Sequence, residues 1–148
     1  MGIKIIADNR KARFDFEVIE KFEAGLVLTG SEVKSLRNGQ CALKDSYISF
    51  RDHEAFLQNA HISIYTASSY NNHAPERLRK LLMHRVELDR IFKKMREKSL
   101  TCVPLKIYFK NGKVKLEIAL AKGKSKSDKR SSIKEKDAKR EIQRSMKK

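Results

Sequence analysis

Apolar and polar residues alternate most regularly in the C-terminal half of the chain. Apolar side chains occupy alternate positions from Val103 to Phe109 and again from Val114 to Leu120, with polar and charged residues between most of them. A period of two is typical of β-strands. Asn111-Gly112 separates the two runs, and these residues readily adopt the positive φ angles of a type I′ turn. The pattern predicts a two-residue hairpin of long strands with one apolar and one basic face.

The N-terminal part of the chain shows a second alternation, over residues 14–28. It predicts two strands with a bulge or sharp bend at Gly25, because a glycine interrupts the pattern there. Ser31 has the side chain of a helix N-cap, and Gly39 is a typical residue at a helix end. We therefore expect a short helix from Ser31 through Leu36.

The middle of the chain predicts another hairpin and a helical region. Tyr47–Phe50 and Phe56–Ile64 are rich in apolar residues and flank a polar turn at Arg51–Glu54. Apolar residues then recur at spacings of three and four from Leu81 to Met95, which is the period of a helix. The pattern allows one helix, or two helices divided near His84.

About six short antiparallel strands with short helices between them, in roughly 120 residues, indicate a small closed barrel. The predicted fold class is mainly β with short helices, an antiparallel barrel of the oligonucleotide-binding (OB) type. We expect residues 1–121 to form this barrel as one domain, since that length supports a single core.

Residues 122–148 differ from the rest of the chain in composition. They hold nine Lys, three Arg and four acidic residues, so their net charge of +8 is half of the +16 of the whole chain. Their few apolar side chains do not offset the entropy cost of ordering, so we expect this tail to be disordered in the free protein. Ala138, Ile142 and Met146 recur every four residues, which predicts a helix that forms only when a binding surface orders it.

The charge of the body, also +8, makes the whole molecule cationic and favours nucleic acid as the partner. The cations form three groups, at Asn9–Arg13, at Arg77–Arg85 and at Lys110–Lys115. Any single lysine is better explained as a solubilising surface residue. Together with tyrosines that can stack on bases, the three groups predict a surface for structured RNA. The tyrosines are Tyr47, Tyr65, Tyr70 and Tyr108.

The residues that could perform catalysis form no recognisable catalytic or metal site. The four histidines lie on separate predicted elements and show neither an HExxH sequence nor a Cys-His pair. Neither a P-loop nor a GxGxxG sequence occurs. We therefore expect no enzyme activity, no metal and no cofactor; an RNA-cleaving enzyme built from scattered His and Lys is the alternative.

Cys41 and Cys102 lie far apart in the sequence and lack metal-ligand spacing, which predicts free buried thiols in a reducing cytoplasm. No apolar run approaches the ~20 residues that span a bilayer, so no membrane partner is expected. The apolar part of Met1–Asp8 is too short for a signal peptide. We expect a cytoplasmic protein.

Ten short segments of the chain match a known family in the same order. They are Asn9–Arg13, Phe22–Leu26, Gly30–Arg37, Leu43–Tyr47, Arg79–His84, Val103–Leu105, Tyr108–Gly112, Ala121–Lys124, Asp128–Arg130 and Lys136–Arg140. Through them the chain resembles the SsrA-binding protein family, also called small protein B. This ordered set of matches is far more specific than any single motif.

The resemblance implies an OB-type barrel with three helices that binds transfer-messenger RNA as a monomer. It also implies a role in trans-translation, the rescue of bacterial ribosomes stalled on messages that lack a usable stop codon. In that family the barrel holds the tRNA-like domain near its elbow, in the place of the missing anticodon arm. The basic tail enters the small ribosomal subunit and reads the empty mRNA channel. The implied partners are therefore transfer-messenger RNA and the ribosome, with its small-subunit RNA.

Site residues follow from the resemblance and from the cation groups. Glu23, Leu81 and His84 fall in the implied central RNA-binding cluster, with Glu23 accepting hydrogen bonds from base or ribose donors; Leu81 is equally well explained as a core residue. The predicted RNA-binding residues are Asn9, Arg10, Lys11, Arg13, Glu23, Gly25, Gly30, Glu32, Lys34, Ser35, Arg37, Arg79, Lys80, Leu81, His84 and Lys110. The predicted ribosome-binding residues of the tail are Lys122, Lys124, Asp128, Lys129, Arg130, Lys134, Lys139, Arg140, Ile142 and Met146.

Ser127 departs from the family pattern. The family often has His or an aromatic residue before Asp128–Arg130, which can stack on a ribosomal base, so the resemblance implies a tail docked here by charge. A structural or assembly protein of the ribosome would show the same charge and a similar barrel, and is the competing class.

Overall fold

Antiparallel strands and three helices make up the part of the chain that the structure, a computed structural model, describes: residues 2–64 and 72–124. The strands are β1 Ile3–Asp8, β2 Phe16–Leu26, β3 Cys41–Ala42, β4 Tyr47–Arg51, β5 Glu54–Gln58, β6 His61–Ile62, β7 Arg79–Leu82, β8 Thr101–Lys110 and β9 Lys113–Gly123. The helices are α1 Arg10–Asp15, α2 Gly30–Arg37 and α3 Arg85–Lys98. Tyr65, Tyr70 and the tail residues from 125 to 148 lie outside the described residues.

Seven strands form one antiparallel sheet in the order β1-β8-β9-β2-β7-β5-β4, and β3 pairs with β6 in a separate sheet. The predicted mainly β class with short helices is therefore confirmed. The described residues contain nine strands instead of about six, partly because β3 and β6 have only two residues each and carry no visible alternation. Within the described ranges no ladder joins the edge strands β1 and β4. Closure into a barrel accordingly stays a prediction.

The β8–β9 hairpin confirms the predicted two-residue turn. Asn111 and Gly112 have φ angles of 53° and 76°, and Lys110 pairs with Lys113 across them. Both central positions of a type I′ turn require a positive φ, which Asn and Gly adopt at the least steric cost. At 10 and 11 residues, β8 and β9 are matched in length only by the 11-residue β2 among the described strands.

The prediction of one apolar and one basic face for this hairpin is wrong near its base, because a β-bulge interrupts the alternation. The register shifts between Pro104 and Lys106. A bulge adds one residue to one strand, so the side chains beyond it change faces. Leu105 therefore packs in a small cluster with Ala12 of α1, whereas Ile107 belongs to the main core. Only towards the turn does the hairpin keep an exposed basic face.

Helix α1 corrects the prediction that residues 14 and 15 begin a strand. Asn9 initiates this helix by accepting a hydrogen bond from the Ala12 backbone N at 3.2 Å. The Asn9 Nδ2 also donates to the carbonyls of Pro104 at 2.9 Å and Leu43 at 3.2 Å. One buried amide thus fixes α1 against the bulge of β8.

Strand β2 is continuous, whereas two strands were expected over residues 14–28. Its register shift lies between Val18 and Glu20 and not at Gly25. Gly25 stays within the strand, paired with Lys115 of β9 on one side and with Leu82 of β7 on the other. The glycine marks a close approach of neighbouring strands, which is the other common reason for glycine in a strand.

The residue that caps α2 is Thr29, which corrects the prediction of Ser31. The Thr29 hydroxyl accepts from the backbone N of Glu32, and the Glu32 carboxylate accepts from the backbone N of Thr29, at 3.3 and 2.9 Å. This reciprocal pair is a capping box. Gly39, at φ 69°, follows the C-terminus as predicted.

The β4–β5 hairpin is confirmed, with Asp52 and His53 at its turn, but the predicted helical region is wrong in its first part. Leu81 and Leu82 lie in β7, between β2 and β5. Four residues are too few to establish a period of two, so their spacing to the apolar residues downstream reads as helical. Helix α3 begins only after His84, the N-cap residue.

The two cysteines are free thiols, as predicted, with Cys102 buried and Cys41 half-buried. Burial raises the pKa of Cys41 to about 11 and that of Cys102 to about 12. Among the helices within residues 2–64 and 72–124, none has the length and hydropathy needed to cross a membrane.

Strand β9 runs past the predicted domain boundary at residue 121. It ends at Gly123, and the backbone N of Lys124 donates to the carbonyl of Asp15 at 2.9 Å. The division into a body and a tail stays a prediction, but any truncation that tests it has to leave Lys124 in place.

Candidate nucleic-acid interface

An open groove of about 420 Å³ lies where β2, β7 and β9 meet the start of α3. It is called the Gly25 groove here, and its lining residues are Glu23, Gly25, Leu82, Met83, His84, Glu87 and Lys115. A second depression of about 400 Å³ shares Gly25, Leu82 and Lys115 and continues towards α2 and the β8–β9 turn. Its further lining residues are Leu26, Leu28, Val33, Gly112, Lys113 and Val114. The structure therefore brings together the predicted site residues Glu23, Gly25 and His84, with α2 along one side.

Gly25 keeps the floor of this groove low. It pairs directly with Leu82 and Lys115, so all three residues face the same side of the sheet. A Cβ at position 25 would lie 3.3 Å from the Cβ of Leu82, which is tighter than ordinary van der Waals contact. A Cβ there would require Leu82 to shift by a few tenths of an ångström, and a larger side chain would occupy the floor of the groove.

Glu23 is the acidic residue at the edge of the groove. The Tyr108 hydroxyl donates to its carboxylate, and the Lys110 Nζ lies 3.3 Å from Oε2. The hydrogen bond from Tyr108 holds the pKa of Glu23 below its ordinary value, against partial burial, and Lys110 and Lys115 lower it further. Burial and the bond to Glu23 raise the pKa of Tyr108, whose hydroxyl therefore stays a donor. Glu23 is thus a fixed, ionised acceptor with an exposed side.

A second glutamate lies directly opposite Glu23 on β9, at Glu117. Like charges facing each other across strands destabilise a sheet unless cations compensate them. Lys21 and Lys106 lie 3.8 and 3.7 Å from the Glu117 carboxylate, and Lys110 lies beside Glu23. This face consequently carries both lysines and ordered carboxylates. Such a surface suits recognition of both phosphates and hydrogen-bond donors.

Several residues of the groove were not among the predicted site residues. Lys113 and Lys115 belong to the cation group around the predicted turn, a signal that could have ranked them with Lys110. Leu82 is apolar yet 54% exposed, and Met83 follows it. The sequence carries no signal for the exposure of Leu82, because that depends on the pairing of β7 with β2.

Glu32 and Arg79, both predicted to bind RNA, form instead a buried charged cluster, the Glu32 network. Neither side chain has exposed surface. The Glu32 carboxylate accepts from Arg79 Nε at 2.5 Å and from Arg77 Nη2 at 2.6 Å. The remaining Arg79 donors bond the carbonyls of Ala60 at 2.7 Å and Pro75 at 2.9 Å. A side chain without exposed surface does not contact a ligand directly, so these residues support the fold around the groove.

The pKa of Glu32 reflects this set of partners. Burial alone would raise it, but hydrogen bonds from Arg77, from the Thr29 backbone and from Arg79 outweigh burial and hold the pKa at about 2. The carboxylate is therefore ionised at all physiological pH values, and its charge is neutralised within the protein.

Three more predicted RNA-binding residues are buried and have structural partners. Asn9 fixes α1 against β8, and the Ser35 hydroxyl donates to the Ser63 carbonyl at 2.6 Å. Leu81 is 2% exposed and belongs to the main core, in agreement with its interpretation as a core residue. At these positions, as at Glu32 and Arg79, the side chains are buried and contact partners within the protein.

The remaining predicted cations reach the surface but are partly engaged. Lys11 pairs with Asp45 at 2.5 Å, and this hydrogen bond raises the pKa of the lysine. Arg13 pairs with Asp8 at 2.9 Å. Lys80 pairs with Glu54 at 2.9 Å. The exposed residues that complete the predicted set in the body are Arg10, Gly30, Lys34 and Arg37.

Of the predicted tail residues, only Lys122 and Lys124 are described. Lys122 lies opposite Glu17 in the β2–β9 ladder, near the end of β9. The Lys124 Nζ lies 3.4 Å from the Arg13 carbonyl. The predicted residues beyond them lie outside the described part of the chain. They are Asp128, Lys129, Arg130, Lys134, Lys139, Arg140, Ile142 and Met146, together with the divergent Ser127.

The histidines serve separate purposes. His73 is buried between the Ser31 hydroxyl, 2.9 Å from Nδ1, and the Ile62 carbonyl, 2.8 Å from Nε2. His84 is exposed at the start of α3, on the Gly25 groove. In residues 2–64 and 72–124, no three His, Cys, Asp or Glu side chains lie close enough to hold a metal ion.

Comparisons with known proteins agree along almost the entire chain. A family model described as SmpB protein matches residues 6–148. An SsrA-binding protein of Bdellovibrio bacteriovorus is 63% identical over 145 residues, 98% of this chain and 95% of that protein. An SsrA-binding protein of Sulfurihydrogenibium sp. is 55% identical over 147 residues, 99% of this chain and 97% of that protein. A chain of the solved structure "tmRNA-SmpB: a journey to the center of the bacterial ribosome" superposes with a TM-score of 0.68 at 44% identity, covering 86% of this chain and 93% of that chain.

Proposed function

Because this chain belongs to the SmpB protein family, we propose that it binds transfer-messenger RNA and delivers it to stalled ribosomes for trans-translation. The observation that carries the proposal is the match to SsrA-binding proteins over nearly the full length, at 63% identity in one relative. The likeness to the solved structure of tmRNA-SmpB in the bacterial ribosome supports transfer-messenger RNA and the ribosome as partners.

In the body, the Gly25 groove receives the tRNA-like domain of the RNA. Lysines along its rim neutralise phosphates, which supplies affinity without reading sequence. The Glu23 carboxylate repels phosphate and accepts hydrogen bonds from base amino groups or from ribose 2′-hydroxyls, which are presented by folded RNA. The low floor at Gly25 lets the RNA backbone approach the sheet, and exposed Leu82 packs against a base or ribose.

The seven-stranded sheet curls into an OB-type barrel in this proposal, and the protein acts as a monomer in the cytoplasm, where its partners are found. Residues of β4 come within 8 Å of β8, measured between Cα atoms, which supports a strongly curled sheet. OB folds commonly bind nucleic acid on the sheet surface and its adjoining loops. The Gly25 groove lies on such a surface.

The tail from residue 125 onward docks in the empty mRNA channel of the small subunit. Its charge supports this role, since the channel is lined by RNA, and an intact message would block it by occupying the same path. The apolar stripe of Ala138, Ile142 and Met146 supports a helix that forms on docking. The tail then reports that the channel is empty, while the body holds the RNA.

The RNA partner is tested by recovering the RNA bound to the full chain in cells and sizing it. One dominant small stable RNA is the expected result, bulk ribosomal RNA would indicate a ribosomal assembly protein, and cleaved fragments would indicate a nuclease. A charge reversal at Lys34 and Arg37 on α2 should lower the slope of log affinity against log salt by ~0.7–0.9 for each phosphate that is no longer neutralised. An unchanged slope would exclude both cations from the interface.

The tail is tested by truncation after Lys124, which preserves β9. The truncated chain should bind RNA within a few fold of the full chain but should lose peptide tagging on ribosomes with an empty mRNA channel. Ile142→Pro in the full chain should give the same result, because proline interrupts a helix interior at a cost of about 3 kcal/mol. Tagging that survives the truncation would reduce the tail to an electrostatic accessory.

A further inference from the structure

A smaller cavity, of about 200 Å³, lies between α3 and the turn of the β4–β5 hairpin. It is called the Phe92 pocket here. The hairpin contributes Phe50 and the turn residues 51–53, and α3 contributes Leu88, Asp89 and Phe92. Pockets for drug-sized ligands measure roughly 300–1,000 Å³. The Phe92 pocket is therefore sized for a single planar group and not for a larger small molecule.

The aromatic part of this pocket is available to a ligand. Phe92 is 45% exposed, although it is among the largest apolar side chains of α3. The Phe50 ring supports it from the core side, with ring centres 6.3 Å apart and planes tilted by 50°. The Arg96 guanidinium lies 5.7 Å from the centre of the Phe92 ring. Exposed aromatic rings and guanidinium planes are the groups on which unpaired RNA bases stack.

The rim of the pocket carries hydrogen-bonding groups of both kinds. Asp89 lies 3.9 Å from the His53 Nδ1 and 3.8 Å from the Arg85 Nε, so its carboxylate lies at the rim beside an imidazole and a guanidinium. Asp52 adds a second carboxylate and Arg51 a guanidinium. Carboxylates accept from the amino groups of bases, whereas guanidinium groups bind phosphate. A base with its attached phosphate satisfies both, and a bare phosphate does not.

The turn of the hairpin places the side chains of Asp52 and His53 at the pocket. Asp52 and His53 have φ angles of 48° and 64°, in the left-handed region. Asparagine or aspartate followed by glycine is usual at these two positions of a hairpin turn, as in the Asn111-Gly112 turn of the same protein, so His53 in place of glycine is the unusual residue. Here both positions carry side chains that line the pocket. Backbone strain of this kind is concentrated at ligand-binding sites.

We propose that the Phe92 pocket binds one unpaired nucleobase of the same RNA that occupies the Gly25 groove. The inference rests on the proposed function. The two sites are adjacent in the chain, because Glu87 lines the groove while Leu88 and Asp89 line the pocket. An RNA that lies in the groove and passes the start of α3 therefore comes next to the pocket, where Arg85 and Arg51 provide cations beside Asp89 and Asp52.

The test compares three substitutions at Phe92 with a control on the same helix. Phe92→Ala should weaken binding of the tRNA-like domain to the full chain by about fivefold or more, the range for removal of one base stack. It should also expose one unpaired nucleotide that the wild-type chain protects from chemical modification. Phe92→Trp should preserve both properties, and Phe92→Leu should lose both. Val86→Ala, at an 80% exposed apolar position outside the pocket, should change neither.

Each outcome decides the assignment. Binding and protection that persist in Phe92→Ala would overturn it, as would a Phe92→Leu variant that equals Phe92→Trp, since an apolar side chain of a protein partner would then fit as well. Protection of a nucleotide only in ribosomal RNA, in the ribosome-bound complex, would overturn the claim of a shared RNA. If the wild-type chain fails to bind the RNA, the proposed function itself is wrong. If the wild-type chain binds and only the Phe92 result fails, the proposed function stands.

Discussion

The Glu32 network and the Gly25 groove each set a glutamate among cations, but they differ in what remains available to a ligand. In the network, the carboxylate of Glu32 and the guanidinium of Arg79 have no exposed surface, and both are saturated by partners within the protein. In the groove, Glu23 is 39% exposed and is held by Tyr108 and Lys110, both on β8. Charge alone therefore does not identify a candidate site; the exposed surface that a charged side chain keeps distinguishes the two regions.

The largest expected effect separates the two regions by stability. Arg79→Ala should destabilise the fold by about 3–5 kcal/mol, because it leaves the Glu32 charge buried with one partner fewer. Lys80→Ala, one residue along β7, removes only the half-exposed ion pair with Glu54 and should cost about 0–1 kcal/mol. Urea unfolding of both variants measures the difference. If the two midpoints coincide, the network does not stabilise the fold as its burial suggests.

The network should also make stability depend on acid. The pKa of Glu32 is about 2 in the folded chain against an ordinary 4.5, so its contribution is present above pH 4.5 and is lost as the pH falls towards 2. This difference in pKa corresponds to about 3 kcal/mol of unfolding free energy. Unfolding free energies measured across this window should fall more steeply for the wild-type chain than for Glu32→Gln. Parallel curves would mean that other carboxylates account for the acid sensitivity.

In the groove, a change of shape should affect RNA affinity more than it affects the stability of the fold. Gly25→Val fills the floor against Leu82, so RNA affinity should fall by about tenfold or more, which corresponds to ~1.4 kcal/mol. The loss of unfolding free energy should remain smaller than at Arg79. Gly2→Val is the matched control, because a Cβ there has no neighbour within 4 Å and Gly2 is outside the predicted RNA-binding set. A gel shift with the tRNA-like domain decides the point, and wild-type affinity in Gly25→Val would remove the groove from the interface.

The smallest expected effect is on the salt dependence of RNA binding, when two lysines of the groove are removed. Lys113→Ala combined with Lys115→Ala should reduce the salt dependence of RNA binding by ~0.7–0.9 for each phosphate that these lysines neutralise, with unchanged folding. Lys98 lies at the opposite end of α3 from the groove, so Lys98→Ala should leave the slope unchanged. Equal slopes for the wild-type chain and both variants would mean that the groove lysines are ordinary solvated residues.

The sequence predicts those elements whose local chemistry is sufficient to define them. Asn111-Gly112 forces a hairpin, and Gly39 ends α2, because each depends on residues close in the chain. Strand β7 cannot be predicted from the sequence, because Leu81 and Leu82 acquire their strand conformation from pairing with β2 and β5. The bulge near Leu105 cannot be predicted for the same reason, since its contacts are with Asn9 and α1, in a distant part of the chain.

The site shows the same division. The cation groups and the family resemblance lead to Glu23, Gly25 and His84, which the fold brings to one groove. Composition cannot distinguish Arg79 from Lys80, because one faces the core and the other the surface of the same strand. Glu32 likewise resembles any acidic residue in the first turn of a helix until its arginine partners, 45 and 47 positions away, are located.

The hydrogen bonds that fix α1 have a consequence for the order of events during synthesis. Asn9 bonds the carbonyl of Pro104, 95 positions later, and Lys124 bonds the carbonyl of Arg13 across 111 positions. Strand β2 has β9 as its principal partner, so it stays largely unpaired until residues beyond 113 have been made. Folds with such distant pairings form slowly, and their unpaired strands are prone to aggregate. The nascent chain consequently passes most of its translation with the apolar side of β2 uncovered, and it is in this interval that a chaperone would matter most.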